Sequence, residues 1–174
     1  MTLYIFEAAN LFCGDVDPTK SKHLSIQELK LPALQEQYQD HMAGGAPVQI
    51  EIATGINKLE PTFKLVGHDP DLLREFGLGS RIRNMFTAYS VIVDRRTGRR
   101  IERKAIMEGR LGKVEEDAQK KGDLMATDYA INEVWHYEIW FDGREVYYWD
   151  FLTNTLRVNN VSENREINQI LRIE

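Results

Sequence analysis

Apolar side chains recur along most of this chain with a period of two, the spacing of strands. Thr2 to Phe12 is apolar enough for a strand or an ordered arm. Leu24 and Ile26 alternate, and the pattern then slips by one residue to Leu29 and Leu31 before Pro32, which reads as a bulge or an edge bend. Val48, Ile50 and Ile52 alternate with Gln49 and Glu51 and predict a half-buried strand. Leu59, Phe63 and Leu65 form another alternating set, and Pro61 inside it predicts a sheet edge. Further on, Met85, Thr87, Tyr89, Val91 and Val93 share one face of a long strand. Arg95-Arg96-Thr97-Gly98 turns the chain, and the return strand carries Ile101, Arg103, Ala105, Met107, Gly109 and Leu111 on one side. The polar stretch Val114 to Asp123 predicts a loop or a short exposed helix. Met125 to Phe141 is the longest strand candidate. At about 3.3 Å per residue it would exceed 50 Å, so it must bend or protrude. Asp142-Gly143 is a strong hairpin turn, with Val146 to Phe151 pairing back.

Two short segments read as helices instead. Asp69 is placed to cap a helix with Pro70 at its first position, Leu72, Leu73 and Phe76 on one face and Gly77 closing it. After Asn159-Asn160, Ser162 is the expected cap of a terminal helix with Ile167, Ile170 and Leu171 on one face. The expected fold is mainly β: a barrel or sandwich with one internal helix, a C-terminal helix and long extended hairpins. It is expected to form one domain over residues 1–174, with no repeat or linker.

Charge changes this picture more than composition does. Hydrophobic residues make up 43% of the 174 and charged residues 28%, as in ordinary globular chains. The net charge is −5, yet Asp94 to Lys113 holds eight basic residues against three acids, leaving −10 on the rest. Such asymmetry suits a face that meets a complementary face, including that of an identical subunit. An acidic pI of about 5.5 argues against a general nucleic-acid binder, although the basic hairpin with Phe86, Tyr89 and Tyr129 is one candidate for single strands. Cys13 is the only cysteine, which excludes an internal disulfide and a cysteine zinc cluster. The first basic residue is Lys20, so a secretory signal is not expected, and no apolar run is long enough to span a membrane.

A search for chemistry returns structural readings. His23, His41, His68 and His136 lack metal-motif spacing. Asp15-Val16-Asp17-Pro18 lacks the glycine and glutamate of a calcium loop. Gly77-Leu78-Gly79 follows a helix, whereas a dinucleotide fingerprint follows a strand. Cys13 has no basic partner nearby in sequence and reads as an inert thiol. Trp135, Tyr137, Trp140, Tyr147, Tyr148 and Trp149 crowd two paired strands on both faces, which suits a sheet covered on both sides in an assembly. The other use of such aromatics is a ligand site in a monomeric β-barrel. No catalytic constellation emerges, and no enzyme activity, cofactor or metal is expected.

Ordered fragments along the chain carry a resemblance. They are Asn10-Leu11-Phe12 with Gly14-Asp15, Leu29-Lys30-Leu31-Pro32-Ala33-Leu34, Glu36-Gln37-Tyr38 and Gly44-Gly45-Ala46-Pro47-Val48. Leu59-Glu60-Pro61-Thr62-Phe63 with Gly67 follows, then Asp69-Pro70-Asp71-Leu72-Leu73 with Phe76-Gly77, and Met107-Glu108-Gly109-Arg110. The last are Tyr137 with Asp142-Gly143-Arg144-Glu145-Val146, and Asp150 before Val158-Asn159-Asn160-Val161. In this order they resemble the major tail tube protein family of contractile-tailed bacteriophages, the type of P2-like phages and R-type tailocins. Two details depart from the family: Cys13 stands where relatives carry a polar turn residue, and Met42 precedes the glycines rather than following them.

The resemblance implies a structural virion protein. Its subunits would form hexameric rings joined into one inner β-barrel and stacked into a tube inside a contractile sheath. The tube would serve genome ejection through the host envelope in a phage, or would belong to a tailocin or a type VI-like injection system. Implied partners are the protein itself, the sheath, the baseplate hub, the tape measure and the tail terminator. DNA would pass without specific binding, there would be no membrane anchor, and assembly would take place in the host cytoplasm. Within this frame the glycine-rich loop around 39–47, with Met42, Gly44, Gly45 and Pro47, is the candidate inter-ring contact. Arg95, Arg96, Arg99 and Arg100 are candidates to meet acids of a neighbour around Glu115, Glu116 and Asp117. The excess of acid elsewhere suits a lumen that repels DNA.

Overall fold

The computed structural model describes residues 2–77 and 83–173. Leu78 and Gly79 of the glycine pair considered above lie outside them. Strands dominate. β1 (Tyr4–Cys13) settles the choice at the N-terminus in favour of a strand, and it pairs antiparallel with β6 (Asn84–Asp94). β6 pairs with β7 (Arg100–Glu116), and β7 with β8 (Ala126–Phe141). β9 (Arg144–Asp150), β10 (Thr155–Val158) and β11 (Val161–Ser162) complete the path. The first part of β8 also carries β5 (Thr62–Val66), which in turn carries β2 (Ile26–Lys30). The mainly β expectation holds. Closure into a barrel does not occur among the described residues, because β1 and β11 end the path without pairing with each other.

Along the edge opposite β7, β8 serves two neighbours, β5 and β9, because it bends. Arg110 faces Asn132 while Glu108 faces His136, so β8 holds extra residues there, and Glu133 sits at φ +51°. A second irregularity puts Gly112 in the bulge on β7. Residues 126–130 then pair with β5, and residues 136–141 with β9. Glu133 is held at the bend by Arg83 at 3.3 Å and Arg110 at 3.4 Å. The Arg83 guanidinium also lies 3.3 Å from the centre of the Trp135 ring. Glycine is required opposite the bend: a Cβ on Gly109 would meet the Ile131 side chain at 2.7 Å, and one on Gly112 the Asn132 side chain at 2.2 Å.

The core lies against one face of this sheet. Leu11, Phe86, Ala88, Ala105, Met107, Ile131 and Tyr137 are buried, joined by Phe63 and Leu65 of β5, and Phe63 stacks on Tyr129 with ring centres 4.9 Å apart. The face of β7 read from the sequence is the buried one. On β6 the core takes Phe86 and Ala88, and Met85 on the opposite face is exposed.

Three local readings are corrected. β5 is an interior strand rather than an edge, because Pro61 stands just before it; the Pro61 carbonyl accepts the Ile131 N–H at 2.9 Å. The stretch from Val114 belongs to β7 as far as Glu116, its polar residues paired with β8, which makes β7 one residue longer than β8. The terminal helix α2 (Arg165–Leu171) begins after Asn164, and Ser162 belongs to β11. α1 (Pro70–Arg74) has its cap where expected, the Asp69 carboxylate accepting the Leu72 N–H at 3.1 Å, but it buries Leu72 alone and leaves Leu73 and Phe76 exposed. Both hairpin turns match their sequence, with Gly98 at φ +72° and Asp142 and Gly143 both at positive φ.

Candidate functional site

One element stands apart from this body. Among the described residues β3 (Glu36–His41) and β4 (Ile50–Ile56) pair only with each other, and every residue of both is exposed. The sequence predicts β4 as half-buried. The strand forms, but the described residues leave it uncovered, and Ile52 is 47% exposed. A bond from the Asn57 N–H to the Gln35 carbonyl at 2.9 Å closes the base of this hairpin. Its two faces differ. Opposite pairs put Ile50 with His41 and Ile52 with Gln39 on one face. Asp40 faces Glu51 on the other, beside Tyr38 and Glu36. The tip holds Met42, Gly44, Gly45 and Pro47 together, with Met42 63% exposed and a turn closed by the Ala46 N–H on the Ala43 carbonyl.

The basic residues divide into two kinds. Arg99 holds Asp142 through two bonds of 2.8 and 3.0 Å, and Arg100 holds Glu7 through two of 2.9 and 3.1 Å. The Arg100 hydrogen bond keeps the Glu7 carboxyl below its usual value. Arg95 and Arg96 have no ion-pair partner among the described residues. They sit at the β6–β7 turn, where Asp94 caps the Arg96 N–H at 2.8 Å. The acids Glu115, Glu116 and Asp117 are not near this turn. They lie at or beyond the far end of β7, whose 17 residues span roughly 55 Å. Each has a partner in its own chain: Lys113 for Glu115, His68 at 3.5 Å for Glu116 and Lys64 at 3.6 Å for Asp117.

The aromatic hairpin β8–β9 sorts its rings by face. Tyr137 and Tyr147 go into the core. On the other face His136 lies between two carboxylates, Nδ1 3.0 Å from Asp150 and Nε2 2.7 Å from Glu138, and the Trp140 N–H donates to Glu138. Arg157 clasps the buried Glu145 through two bonds of 2.9 Å and covers the Tyr148 ring. Burial works to raise the Asp150 carboxyl, but hydrogen bonds from Thr153 and His136 outweigh it and leave it below the usual value. These groups bond to one another and fix the strands. Between this hairpin and residues 55–60 runs a groove of about 670 Å³ lined by Leu59, Trp135, Tyr147, Trp149 and Leu156. Cys13 packs against the core, and burial pushes its thiol up to about 12, as suits an unreactive sulfur. No helix among the described residues is long and apolar enough to cross a membrane.

The family described as phage tail tube protein FII matches residues 9–171. The chain belongs to that family. No curated protein matches it by sequence. Among solved structures, a chain from the sheath–tube complex of an extracellular contractile injection system in the extended state superposes with a TM-score of 0.52. The identity is 6%, over 73% of this chain and 86% of the other. A chain from the sheath and tube terminator of such a system gives a TM-score of 0.50 at 7% identity, over 73% and 91%. At such identities the likeness is one of fold.

For a tail tube protein, the hairpin is where sequence reasoning was incomplete. Its tip is legible from the glycines, but the exposure of Tyr38, Asp40, Ile50 and Ile52 is not, because alternation reports strand character and not what covers the strand. The like-charged pair Asp40 and Glu51 was the available signal. It becomes visible only once the register sets the two side chains opposite each other.

Proposed function

We propose that this tail tube protein self-assembles into hexameric rings that stack into the inner tube of a contractile tail, the conduit for genome ejection. The role is structural and not enzymatic. The observation that carries the reading is the β3–β4 hairpin: two strands bearing exposed isoleucines and, among the described residues, paired with nothing but each other. A two-stranded hairpin is marginal alone in water, and exposed apolar surface of this kind marks contact with another protein. In the tube the loop around 39–47, with Met42, Gly44, Gly45 and Pro47, serves the contact between rings. The whole chain acts as one tube domain. Its partners are further copies of itself and, along and at the ends of the tube, the sheath, baseplate hub, tape measure and terminator. The sheath–tube and terminator complexes that contain chains of this fold support the sheath and the terminator among these. An acidic lumen would let DNA pass without binding, and assembly takes place in the host cytoplasm.

Negative-stain electron microscopy over a concentration series, with and without tube seeds, tests the proposal. Rings or hollow tubes of uniform width are expected. A chain that stays monomeric at every concentration even with seeds overturns it, and the aromatic groove then becomes the place to screen for a small apolar ligand.

A further inference from the structure

Two surfaces of this chain complement each other, and they lie on different parts of it. The first is the hairpin, with Ile50 and Ile52 on one face and Glu36, Asp40 and Glu51 on the other. Neither Asp40 nor Glu51 has an ion-pair partner among the described residues, and the two face each other across the strands, an arrangement that is unfavourable until a cation joins it. The second surface is the outer end of β1 with the β6–β7 turn. Leu3, Tyr4, Ile5 and Phe6 are exposed there. The Arg95 N–H donates to the Leu3 carbonyl at 2.9 Å, which ties the turn to that apolar end. Ile5, Phe6 and Val93 line a depression of about 270 Å³ together with Arg95 and Arg100. Arg100 is already held by Glu7, so Arg95 and Arg96 are the cations left for a partner.

We propose that the β3–β4 hairpin of one copy docks on the β1 end and β6–β7 turn of the next copy, its isoleucine face on the apolar end, with the long side chains of Arg95 and Arg96 reaching past the hairpin edge to Asp40 and Glu51 on the opposite face. The inference rests on the tube reading and names the surfaces that would build it. Charge complementarity chooses the occupant. The acids at the end of β7 already have partners in their own chain, whereas the hairpin acids and the turn arginines do not. The contact joins unlike surfaces, so it propagates from copy to copy and either closes into a ring or extends as a stack.

Two charge reversals test it. One chain carries Arg95→Glu and Arg96→Glu, and the other Asp40→Arg and Glu51→Arg. All four positions are exposed, and circular dichroism of each variant checks that its fold matches the wild type. Each variant alone opposes like charges at every contact, so its assembled fraction by sedimentation and electron microscopy is expected to fall at least tenfold. Mixed one to one, the acidic hairpin of the first meets the basic turn of the second, and the basic hairpin of the second meets the acidic turn of the first. Tubes are expected to return in the mixture. Wild-type tubes with either variant assembling normally, or with a mixture that stays unassembled, overturn this contact and leave the tube reading standing. A wild type that stays monomeric with seeds overturns both.

Discussion

The β7–β8 pairing and the β3–β4 pairing are both antiparallel, and β4 carries apolar residues at alternate positions as β7 and β8 do, yet they meet opposite fates. In the first, Ala105, Met107, Tyr137 and Leu111 enter a core shared with β5, β6 and β9. In the second, Ile50, Ile52 and Ile56 remain exposed. The difference is not local propensity. It is whether a second layer exists within the same chain. A strand pattern therefore states a demand for burial, and in β4 the described residues of the same chain do not meet it.

The largest expected effect separates the two regions by stability. Phe86 is fully buried at the centre of the body. Phe86→Ala should cost about 3–5 kcal/mol, from lost transfer energy and the cavity left behind. Ile52→Ser on the hairpin should change the unfolding free energy of the monomer by no more than about 0.5 kcal/mol, while tube formation is lost. Urea unfolding below the assembly concentration measures the first quantity, and sedimentation above it the second. A comparable stability loss from Ile52→Ser would mean that the hairpin packs on its own chain.

A smaller effect is expected at the bend of β8. Gly109→Ala forces a methyl against Ile131 and the Asn132 carbonyl oxygen, which the strand can relieve only by shifting. A cost of about 1–3 kcal/mol is expected, as for other overpacked sites. Gly44→Ala and Gly45→Ala at the hairpin tip meet open space and lack positive φ, so they should leave stability nearly unchanged. Parallel thermal melts of the three variants check the contrast.

What could be read in the sequence follows from how local each feature is. The Asp69-Pro70 helix start and the Asp142-Gly143 turn are decided by neighbouring residues, and both stand where expected. Pro61 misleads because one residue decides whether it lies in a strand or before it. Val114 to Glu116 looks like loop because its polar side chains say nothing of the β8 backbone opposite. The Glu133 bend depends on Arg83 and Arg110, distant in sequence, and no periodicity encodes it. The candidate residues divide in the same way: that Gly44 and Gly45 lie at a hairpin tip and Arg95 and Arg96 at a turn is legible. That Arg99 and Arg100 bond to Asp142 and Glu7 of the same chain is not, since Glu7 lies 93 residues from Arg100.

Acid titration gives the smallest effect and sharpens the contrast, because the body has charges paired within the chain, while the hairpin acids Asp40 and Glu51 have no ion-pair partner among the described residues. Burial raises the Asp69 carboxyl, but the Lys22 ammonium and the Leu72 N–H outweigh it, so its pKa lies below the ordinary 3.8. A carboxyl depressed in the folded state binds its proton more readily once unfolded. Its contribution is therefore complete above the unfolded value and is lost as pH falls through the folded one. Stability of the monomer should fall as pH drops below about 4. Asp69→Asn keeps a residue able to cap α1 but removes the charge that holds Lys22, so its stability should depend less on pH in that range than that of the wild type. Asp40→Asn lacks an intrachain pair to break, and its monomer curve should overlay the wild type. An Asp69→Asn curve with the full wild-type slope would move the acid sensitivity elsewhere in the body, to Asp150 or Asp94, whose carboxyls are also held low.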